Sequence, residues 1–397
     1  MTRTSTSWTA IHEATDAELA DWDARAVHVP GGHVFQSRTW GEYRRRHGWR
    51  SRFLVFDDGF RLLSAERPWP VVGGAGAYIG RGPVAAGEDA TQTADRLGAA
   101  ATWLAGQGVD VISSDAEIPV ETGYAELLRE RGFHQIEEVQ PSRHRMTLRL
   151  SPGVDEAAVF EGFAKSLRQT IRTAEHKGLR IVRYDAGAPN REAAEFGTPR
   201  FEGPGFEAPG FEAPGFDAPP LDPRDPVALV PVYERLHDLL AKTAVRRHFP
   251  VAPRRQLIDA SAHAVAAGLA FQLEARSSDG DLVATSLFYR HGHRITYALS
   301  SDRVEMRRQF PGVVQLVLWR AIQVAIAEGR DEFDLAGVDV KGARHRPRQG
   351  EEMYGLLVMK ERFGGKWIDL AGNHERVVRP WRYALGRVAA RLARLIG

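Results

Sequence analysis

Segments with strand-like and helix-like patterns alternate along this chain of 397 residues, and the alternation occurs twice. In each half, short strands lead to a long helical pattern, and a further strand follows it. The clearest segments of this kind are 61–64, 93–107 and 109–113 in the first half, and 294–299, 312–327 and 331–335 in the second. Helices packed on a mixed sheet, twice, predict an α/β (α+β) fold, and the length favours two domains.

Domain boundaries are predicted at 1–153 for domain 1, 154–378 for domain 2 and 379–397 for a C-terminal helix. Domain 2 contains an acidic, low-complexity insertion at 186–226, in which Gly-Phe-Glu-Ala-Pro recurs. Proline at every fifth position is incompatible with a helix or an inner strand, so we expect this insertion to be disordered. Repeat expansion in a tolerant surface loop explains it best, and docking of its phenylalanines on a partner is the alternative.

The last helix combines an apolar stripe with arginines. Trp381, Leu385, Val388 and Leu392 recur at helical spacing, and arginines occupy another face. From residue 341 onward the chain carries thirteen Lys or Arg and five Asp or Glu, which favours an anionic partner. The helix is expected either to dock on the protein or to lie on an anionic membrane surface.

Several common classes of function are excluded by missing residues. The chain has no cysteine, so disulfides, thiolate metal sites and thiol nucleophiles are excluded. It has no phosphate-binding Gly-rich loop ending in Gly-Lys-Ser/Thr, no Gly-x-Ser-x-Gly elbow and no His-x-x-x-His helix or similar ligand set. We therefore expect no metal and no cofactor. The first residues lack an apolar segment and no apolar run is long enough to span a membrane, so a cytoplasmic protein is expected.

An apolar run at 356–360 predicts a buried strand that ends at Lys360, shortly before Gly364 and Gly365. A lysine at the end of an interior strand, beside a glycine turn, is well placed to meet an anion or a developing oxyanion. A surface lysine on an edge hairpin is the alternative interpretation.

Four arginines are candidates for binding phosphate or carboxylate groups. Arg168 and Arg172 share a helix face, Arg81 lies in a Gly-Arg-Gly-Pro turn, and Arg44 follows Trp40 by four residues on an early helix. Each could instead be a solvated surface charge. Tyr78 and Tyr297 lie in predicted strands, where their hydroxyl groups need partners if they are buried.

These segments, taken in order, resemble the Fem family of aminoacyl-tRNA-dependent peptidyltransferases, which build the interpeptide bridge of peptidoglycan. The resemblance covers roughly residues 30–370. The matching segments are Val34-Phe35-Gln36-Ser37 with Trp40, 78–84, 165–172, Thr243 with Arg246 and Arg247, Tyr297, 316–327, 333–337, and Met359-Lys360 before Phe363-Gly364-Gly365.

The resemblance implies two tandem acetyltransferase-like (GNAT) domains with a substrate cleft between them. It implies aminoacyl-tRNA as donor and a lipid- or UDP-linked muropeptide as acceptor, and no cofactor is expected. Peripheral contact with the inner membrane surface is an open alternative that rests on the basic C-terminal helix. Lys360 would face the aminoacyl ester and Tyr297 would orient the substrate. The implied substrate-binding residues are Arg44, Arg81, Arg168, Arg172, Tyr78 and Phe363.

The chain also departs from that family. It lacks the long helical arm of some members, and Ser113-Ser114-Asp115-Ala116 replaces a common turn. The segment 308–314 is close to a coenzyme A-binding turn, but Val314 replaces a small residue. Transfer of an amino acid such as glycine to the precursor amine is the leading hypothesis. The alternatives are the same chemistry on a peptide or secondary-metabolite acceptor, an acyl-coenzyme A N-acyltransferase, and a non-catalytic membrane-surface module.

Overall fold

The computed structural model describes residues 10–140, 142–151, 153–187, 216–217, 219–247, 249–340, 342 and 344–396. The chain forms two compact units. Unit 1 comprises Met1–Arg145, Lys341–His345 and Ile368–Gly397, and unit 2 comprises Met146–Val340 and Arg346–Trp367. The C-terminal residues therefore belong to the same unit as the N-terminal ones.

The strands of the described residues form two mixed sheets. In chain order they are β1 (Ile11–Glu13), β2 (Arg50–Phe56), β3 (Arg61–Pro68), β4 (Ala75–Ile79), β5 (Val109–Ser114), β6 (His134–Gln135), β7 (His144–Arg149), β8 (Arg180–Tyr184), β9 (Ala270–Arg276), β10 (Leu282–His291), β11 (Arg294–Asp302), β12 (Glu332–Asp334), β13 (Lys366–Asp369) and β14 (His374–Val377).

Helices flank both sheets. In chain order they are α1 (Asp16–Ala20), α2 (Trp22–Ala26), α3 (Arg38–Arg46), α4 (Ala90–Gly106), α5 (Tyr124–Glu130), α6 (Glu156–Glu161), α7 (Lys165–Glu175), α8 (Val230–Arg247), α9 (Arg254–Ala266), α10 (Val313–Ala327), α11 (Tyr354–Arg362) and α12 (Pro380–Ile396). Within the described chain, no helix is both long and apolar enough to cross a membrane.

The two sheets repeat one plan. The first has the strand order β1-β2-β3-β4-β5-β14-β6, and the second has the order β13-β7-β12-β11-β10-β9-β8. In each, four antiparallel strands lead through a long helix to a strand that runs parallel to the fourth, β5 beside β4 and β12 beside β11. Parallel neighbours require such a crossover, and α4 and α10 supply it. The expected class of two tandem GNAT-like domains with mixed sheets is confirmed.

Each sheet contains one strand that comes from a distant part of the chain. In the first sheet, β14 lies between β5 and β6, with Arg376 opposite Ile112 and His374 opposite Gln135. In the second sheet, β7 lies between β12 and β13, with Leu148 opposite Phe333. Local sequence patterns predict that a strand forms but carry no information about which sheet receives it.

Each unit has an apolar core beneath its sheet. The crossover helices show why the sequence folds this way: α4 starts at a capping box made by Asp89 and Gln92, and buries Leu97 and Leu104 on one face. Helix α10 is apolar almost all round and is buried accordingly.

The predicted strand at 356–360 is wrong, because these residues lie in α11. The short apolar run is followed by Lys-Glu-Arg, and leucine, methionine, lysine, glutamate and arginine all favour helix. Leu357 and Lys360 are the residues of this helix that are buried, and their spacing of three places them on one helical face. A short apolar run alone does not separate strand from buried helix.

The low-complexity insertion expected at 186–226 falls outside the described residues over 188–215. At its end, Asp217 pairs with the edge strand β8: its N–H donates to the carbonyl oxygen of Ile181 at 2.8 Å. Phe216 packs against the core of unit 2 and lies beneath the guanidinium of Arg183.

Candidate active site

In unit 2 the parallel strands β11 and β12 pair over only three residues and then separate. Thr296 and Asp334 form the last pair, after which β12 ends while β11 continues to Asp302. We call this point the unit 2 fork. Ligands of α/β sheets bind outside the carboxyl ends of parallel strands, where such an opening arises.

Lys360 reaches this fork from α11. Its Nζ donates to the carbonyl oxygens of Ala336 at 3.1 Å and Gly337 at 3.0 Å, two residues that follow β12. Ala336 has a left-handed backbone (φ 62°), and its N–H donates to Asp334 Oδ1 at 2.8 Å. Only 2% of the Lys360 residue is exposed, so the ammonium is held in place by backbone oxygens rather than by water.

Burial lowers the pKa of Lys360 to about 8, against the opposing attraction of the Asp334 carboxylate. The side chain is therefore a cation at neutral pH that loses its proton in mild alkali. An ammonium has three N–H donors, and the two carbonyl oxygens accept two of them. A cation so placed can act on a nearby carbonyl oxygen that gains negative charge.

Tyr297 is the first residue of β11 beyond the last parallel pair. Its ring stacks on Phe288 with centroids 5.7 Å apart. Burial raises the pKa of Tyr297 to about 12, although hydrogen bonds with Ser300 and Ser286 lower it. Its hydroxyl group stays protonated and can orient a substrate by hydrogen bonding. The structure thus places both predicted catalytic residues, Lys360 and Tyr297, at the unit 2 fork.

Unit 1 has the corresponding fork between β4 and β5, beyond the pair formed by Ile79 and Ser114. Asp115 occupies it: Oδ1 accepts the N–H of Arg81 at 2.6 Å and Oδ2 accepts the hydroxyl of Tyr78 at 2.8 Å. Burial raises the pKa of Asp115 and raises that of Tyr78 well above its ordinary value. The predicted residues Tyr78 and Arg81 therefore come together, and a carboxylate holds both.

Arg44 lies among aromatic rings on α3 of unit 1. Its guanidinium lies over the rings of Trp40 and Trp49, 4.7 Å from each centroid, and the guanidinium of Arg67 lies 5.6 Å from the centroid of Trp49. Burial and the charge of Arg67 lower the pKa of Arg44. Among the described residues no carboxylate pairs with Arg44, and its buried Nε has no hydrogen-bond partner. We call Arg44, Arg67, Trp40 and Trp49 the unit 1 cation cluster.

Arg168 and Arg172 lie on α7 in unit 2, and both pair with Glu161. Arg168 Nη1 also donates to the carbonyl oxygens of Glu161 at 2.6 Å and Phe163 at 2.7 Å. Its guanidinium thereby supplies hydrogen-bond donors to carbonyl groups at the end of α6, which have no partner within that helix. Arg172 pairs with Glu161 at 3.6 Å and lies over Phe160. Their structural partners account for these two cations, so they are weaker candidates than Arg44.

Phe363 requires a correction as a substrate-binding candidate. It is fully buried and makes an edge contact with Phe163, with ring centroids 5.1 Å apart, so packing accounts for it. The two glycines after Phe363 end helix α11 and do not approach a ligand. Gly364 has φ 83°, and a Cβ added at Gly365 would lie 2.9 Å from the carbonyl oxygen of Lys360.

Sequence reasoning did not single out Asp334, Asp115, Trp49 or Arg67. Asp334 and Asp115 each stand directly at the end of an apolar strand, which is the signal that could have indicated them. Arg67 carries no local signal, because it reaches Trp49 from β3, whereas Trp49 lies in the short connection after α3, five residues beyond Arg44. Within the described residues, no group of three or more His, Asp or Glu side chains could hold a metal ion.

Comparisons with known proteins bear on the fold of this chain. A family model described as an acetyltransferase (GNAT) domain matches residues 216–346. The crystal structure of FemX is similar with a TM-score of 0.67 at 15% identity, covering 95% of this chain and 99% of that one. A conserved protein of unknown function from Bacteroides thetaiotaomicron VPI-5482 is similar with a TM-score of 0.52 at 10% identity, covering 93% and 99%. No curated protein matches the sequence.

At these identities the likeness concerns the fold. The chain has the tandem GNAT-like fold, and that fold spans nearly the whole of FemX. The expected resemblance to the Fem proteins is thus confirmed at the level of structure, and the acetyltransferase-type domain marks unit 2 as a transferase fold.

Proposed function

We propose that this protein transfers an amino acid, such as glycine, from aminoacyl-tRNA to the amine of a lipid- or nucleotide-linked peptidoglycan precursor. The observation that carries the proposal is Lys360, a buried cation at the point where β11 and β12 separate. The fold shared with FemX supports the same reaction class by likeness.

The chemistry needs little beyond positioning and charge. The precursor amine, in its neutral form, attacks the carbonyl carbon of the aminoacyl ester, and a C–N bond forms as the ester C–O bond breaks. The proton lost by the amine ends on the ribose oxygen that leaves with the tRNA. The Lys360 ammonium offsets the oxyanion of the tetrahedral intermediate, and the Tyr297 hydroxyl orients the substrate.

The unit 1 cation cluster supplies an acceptor site. A precursor linked to a nucleotide or a lipid carries a diphosphate, and Arg44 lacks a carboxylate partner among the described residues. Its guanidinium already lies over the rings of Trp40 and Trp49, so little side-chain entropy is lost when an anion binds. We therefore assign Arg44 to the acceptor phosphates.

The alternative of an acyl-coenzyme A donor is less well supported. The corresponding turn precedes α10, whose N-cap residue is Gly312. A Cβ added at Gly312 would lie 2.6 Å from Thr170 Cγ2 and 2.9 Å from the Thr170 carbonyl oxygen. Helix α7 is thus packed directly against the start of α10, where a pyrophosphate would need room and free amide groups.

The test is transfer of a labelled amino acid from aminoacyl-tRNA to a lipid-linked or UDP-linked precursor by the purified protein. We expect RNase-sensitive transfer, and we expect Lys360→Ala to lower kcat by about 10²–10³, as for loss of one oxyanion donor. Lys177→Ala, which removes an exposed lysine, is the matched control. Activity with acyl-coenzyme A alone would refute the proposal, and transfer only to another amine would refute the acceptor.

Arg44→Gln tests the acceptor site separately. We expect an increase in KM for the precursor with a smaller change in kcat, since the lost contact is to bound phosphates. Arg255→Gln, at an exposed arginine of unit 2, should leave both constants unchanged. An Arg44→Gln variant with normal KM would remove Arg44 from the acceptor site.

A further inference from the structure

The C-terminal helix α12 is seated on unit 1 by its small and polar side chains. Gly386 is buried, and a Cβ added there would overlap the indole ring of Trp69. Arg382 Nε donates to Asp110 Oδ1 at 2.8 Å, and Trp69 Nε1 donates to Asp110 Oδ2 at 2.9 Å. Arg379, just before the helix, donates to the carbonyl oxygen of Val109 at 2.9 Å. These contacts fix the rotation of the helix about its axis.

That rotation directs the large apolar side chains away from the unit. The exposed fractions are 65% for Trp381, 52% for Leu385, 54% for Val388 and 54% for Leu392. Their spacings of four, three and four residues place them on one helical face, which we call the apolar stripe. An ordinary surface helix buries its apolar face, whereas α12 buries its glycine face and exposes its apolar face.

Positive charge flanks the apolar stripe. Arg387 and Arg391 are exposed, and neither pairs with a carboxylate among the described residues. From residue 376 to the end, the sequence contains six arginines and no acidic residue. This face combines exposed tryptophan and leucine with arginines that have no carboxylate partner among the described residues. It therefore complements a surface with an anionic outer layer over an apolar interior.

We propose that α12 binds the surface of an anionic phospholipid bilayer, with the apolar stripe inserted at the boundary between head groups and acyl chains. Basic amphipathic helices lie in this interface, and anionic lipids attract the arginines beside them. A second copy of this chain fits less well, because a symmetric pairing of two such helices would bring their arginines together. This inference does not depend on the proposed transferase activity.

Vesicle sedimentation of the full-length protein tests the proposal. We expect binding to vesicles of phosphatidylcholine mixed with phosphatidylglycerol, weaker binding at high salt, and little binding to phosphatidylcholine alone. Leu385→Gln with Leu392→Gln should abolish binding while leaving the helix intact, since glutamine favours helix. Val120→Gln with Val245→Gln, at exposed valines elsewhere, is the matched control.

Charge is tested in the same way. Arg387→Gln with Arg391→Gln should weaken binding to anionic vesicles by about fivefold for each arginine. Arg224→Gln with Arg255→Gln removes the same charge from another surface and should have no effect. Equal binding to both kinds of vesicle, or unchanged binding by the stripe variants, would overturn the proposal. So would self-association that requires the stripe in a protein that binds no vesicle.

Discussion

Lys360→Met replaces a buried ammonium with an uncharged side chain of similar length, and the structure predicts how this changes stability with pH. The pKa of Lys360 is about 8 in the folded protein, below its ordinary value of 10.5. Below pH 8 both the folded and the unfolded protein bind the proton, and the folded protein bears the cost of burying the charge. Between about pH 8 and 10.5 the folded protein has released the proton while the unfolded chain still holds it.

Unfolding therefore takes up a proton in this window, and the free energy of unfolding of the wild type rises with pH. The slope reaches about 1.4 kcal/mol per pH unit, and integration gives a gain of about 2.5 kcal/mol between pH 7 and 10. Lys360→Met lacks this contribution. The difference in unfolding free energy, wild type minus variant, should thus increase by that amount, whatever other groups titrate in both proteins.

Urea unfolding followed by circular dichroism at several pH values between 7 and 10 measures this difference. Lys177→Met, at an exposed lysine, should remain parallel to the wild type across the range. A wild type and a Lys360→Met variant whose difference is independent of pH would show that the ammonium is not buried. The assignment of Lys360 as a desolvated cation at the unit 2 fork would then lose its physical basis.

Three further predictions concern stability and docking. Arg290→Met removes the fully buried partner of Asp185, 2.6 Å away, and should lower the free energy of unfolding by about 3–5 kcal/mol in urea titrations; a loss under about 1 kcal/mol would contradict the ion pair. Gly386→Leu should release α12 from Trp69, so that proteases cleave the last helix faster while the melting temperature of the remaining protein is unchanged. Equal resistance of wild type and variant to proteolysis would contradict the packing of Gly386 on Trp69. Because burial raises the pKa of Asp115, the melting temperature of the wild type relative to Asp115→Asn should fall as pH rises above 3.8, and a constant difference would exclude this shift.

The sequence was sufficient to predict the class of fold, because strand-like and helix-like patterns of apolar residues are local and alternate in both halves. It was insufficient for 356–360, where an apolar run too short to show a period was taken as a strand and lies in α11. The role of Lys360 stays a prediction: the residue lies at the unit 2 fork, but it comes from α11 and not from the end of a strand.

For the candidate site, the sequence indicated the types of residue but not their partners. Arg44 and Arg168 looked equivalent as cations on helices. In the structure Arg44 lies over tryptophan rings, whereas Arg168 is bound by the carbonyl oxygens of Glu161 and Phe163. Trp40 lies four residues before Arg44 on the same helix, a spacing that the sequence itself shows. The contact with Trp49 and the two carbonyl oxygens lie outside α3 and α7, and helical periodicity does not indicate them.

The exchange of β7 and β14 between the two halves has consequences for how the chain is made and how it can evolve. The first sheet lacks an inner strand until β14 is synthesised, so its completion waits until unit 2, which precedes β14 in the chain, has been made. A gene divided between the halves would produce two sheets with an internal gap, each exposing unpaired strand edges. The two halves must therefore remain on one chain, because each supplies a strand that completes the sheet of the other.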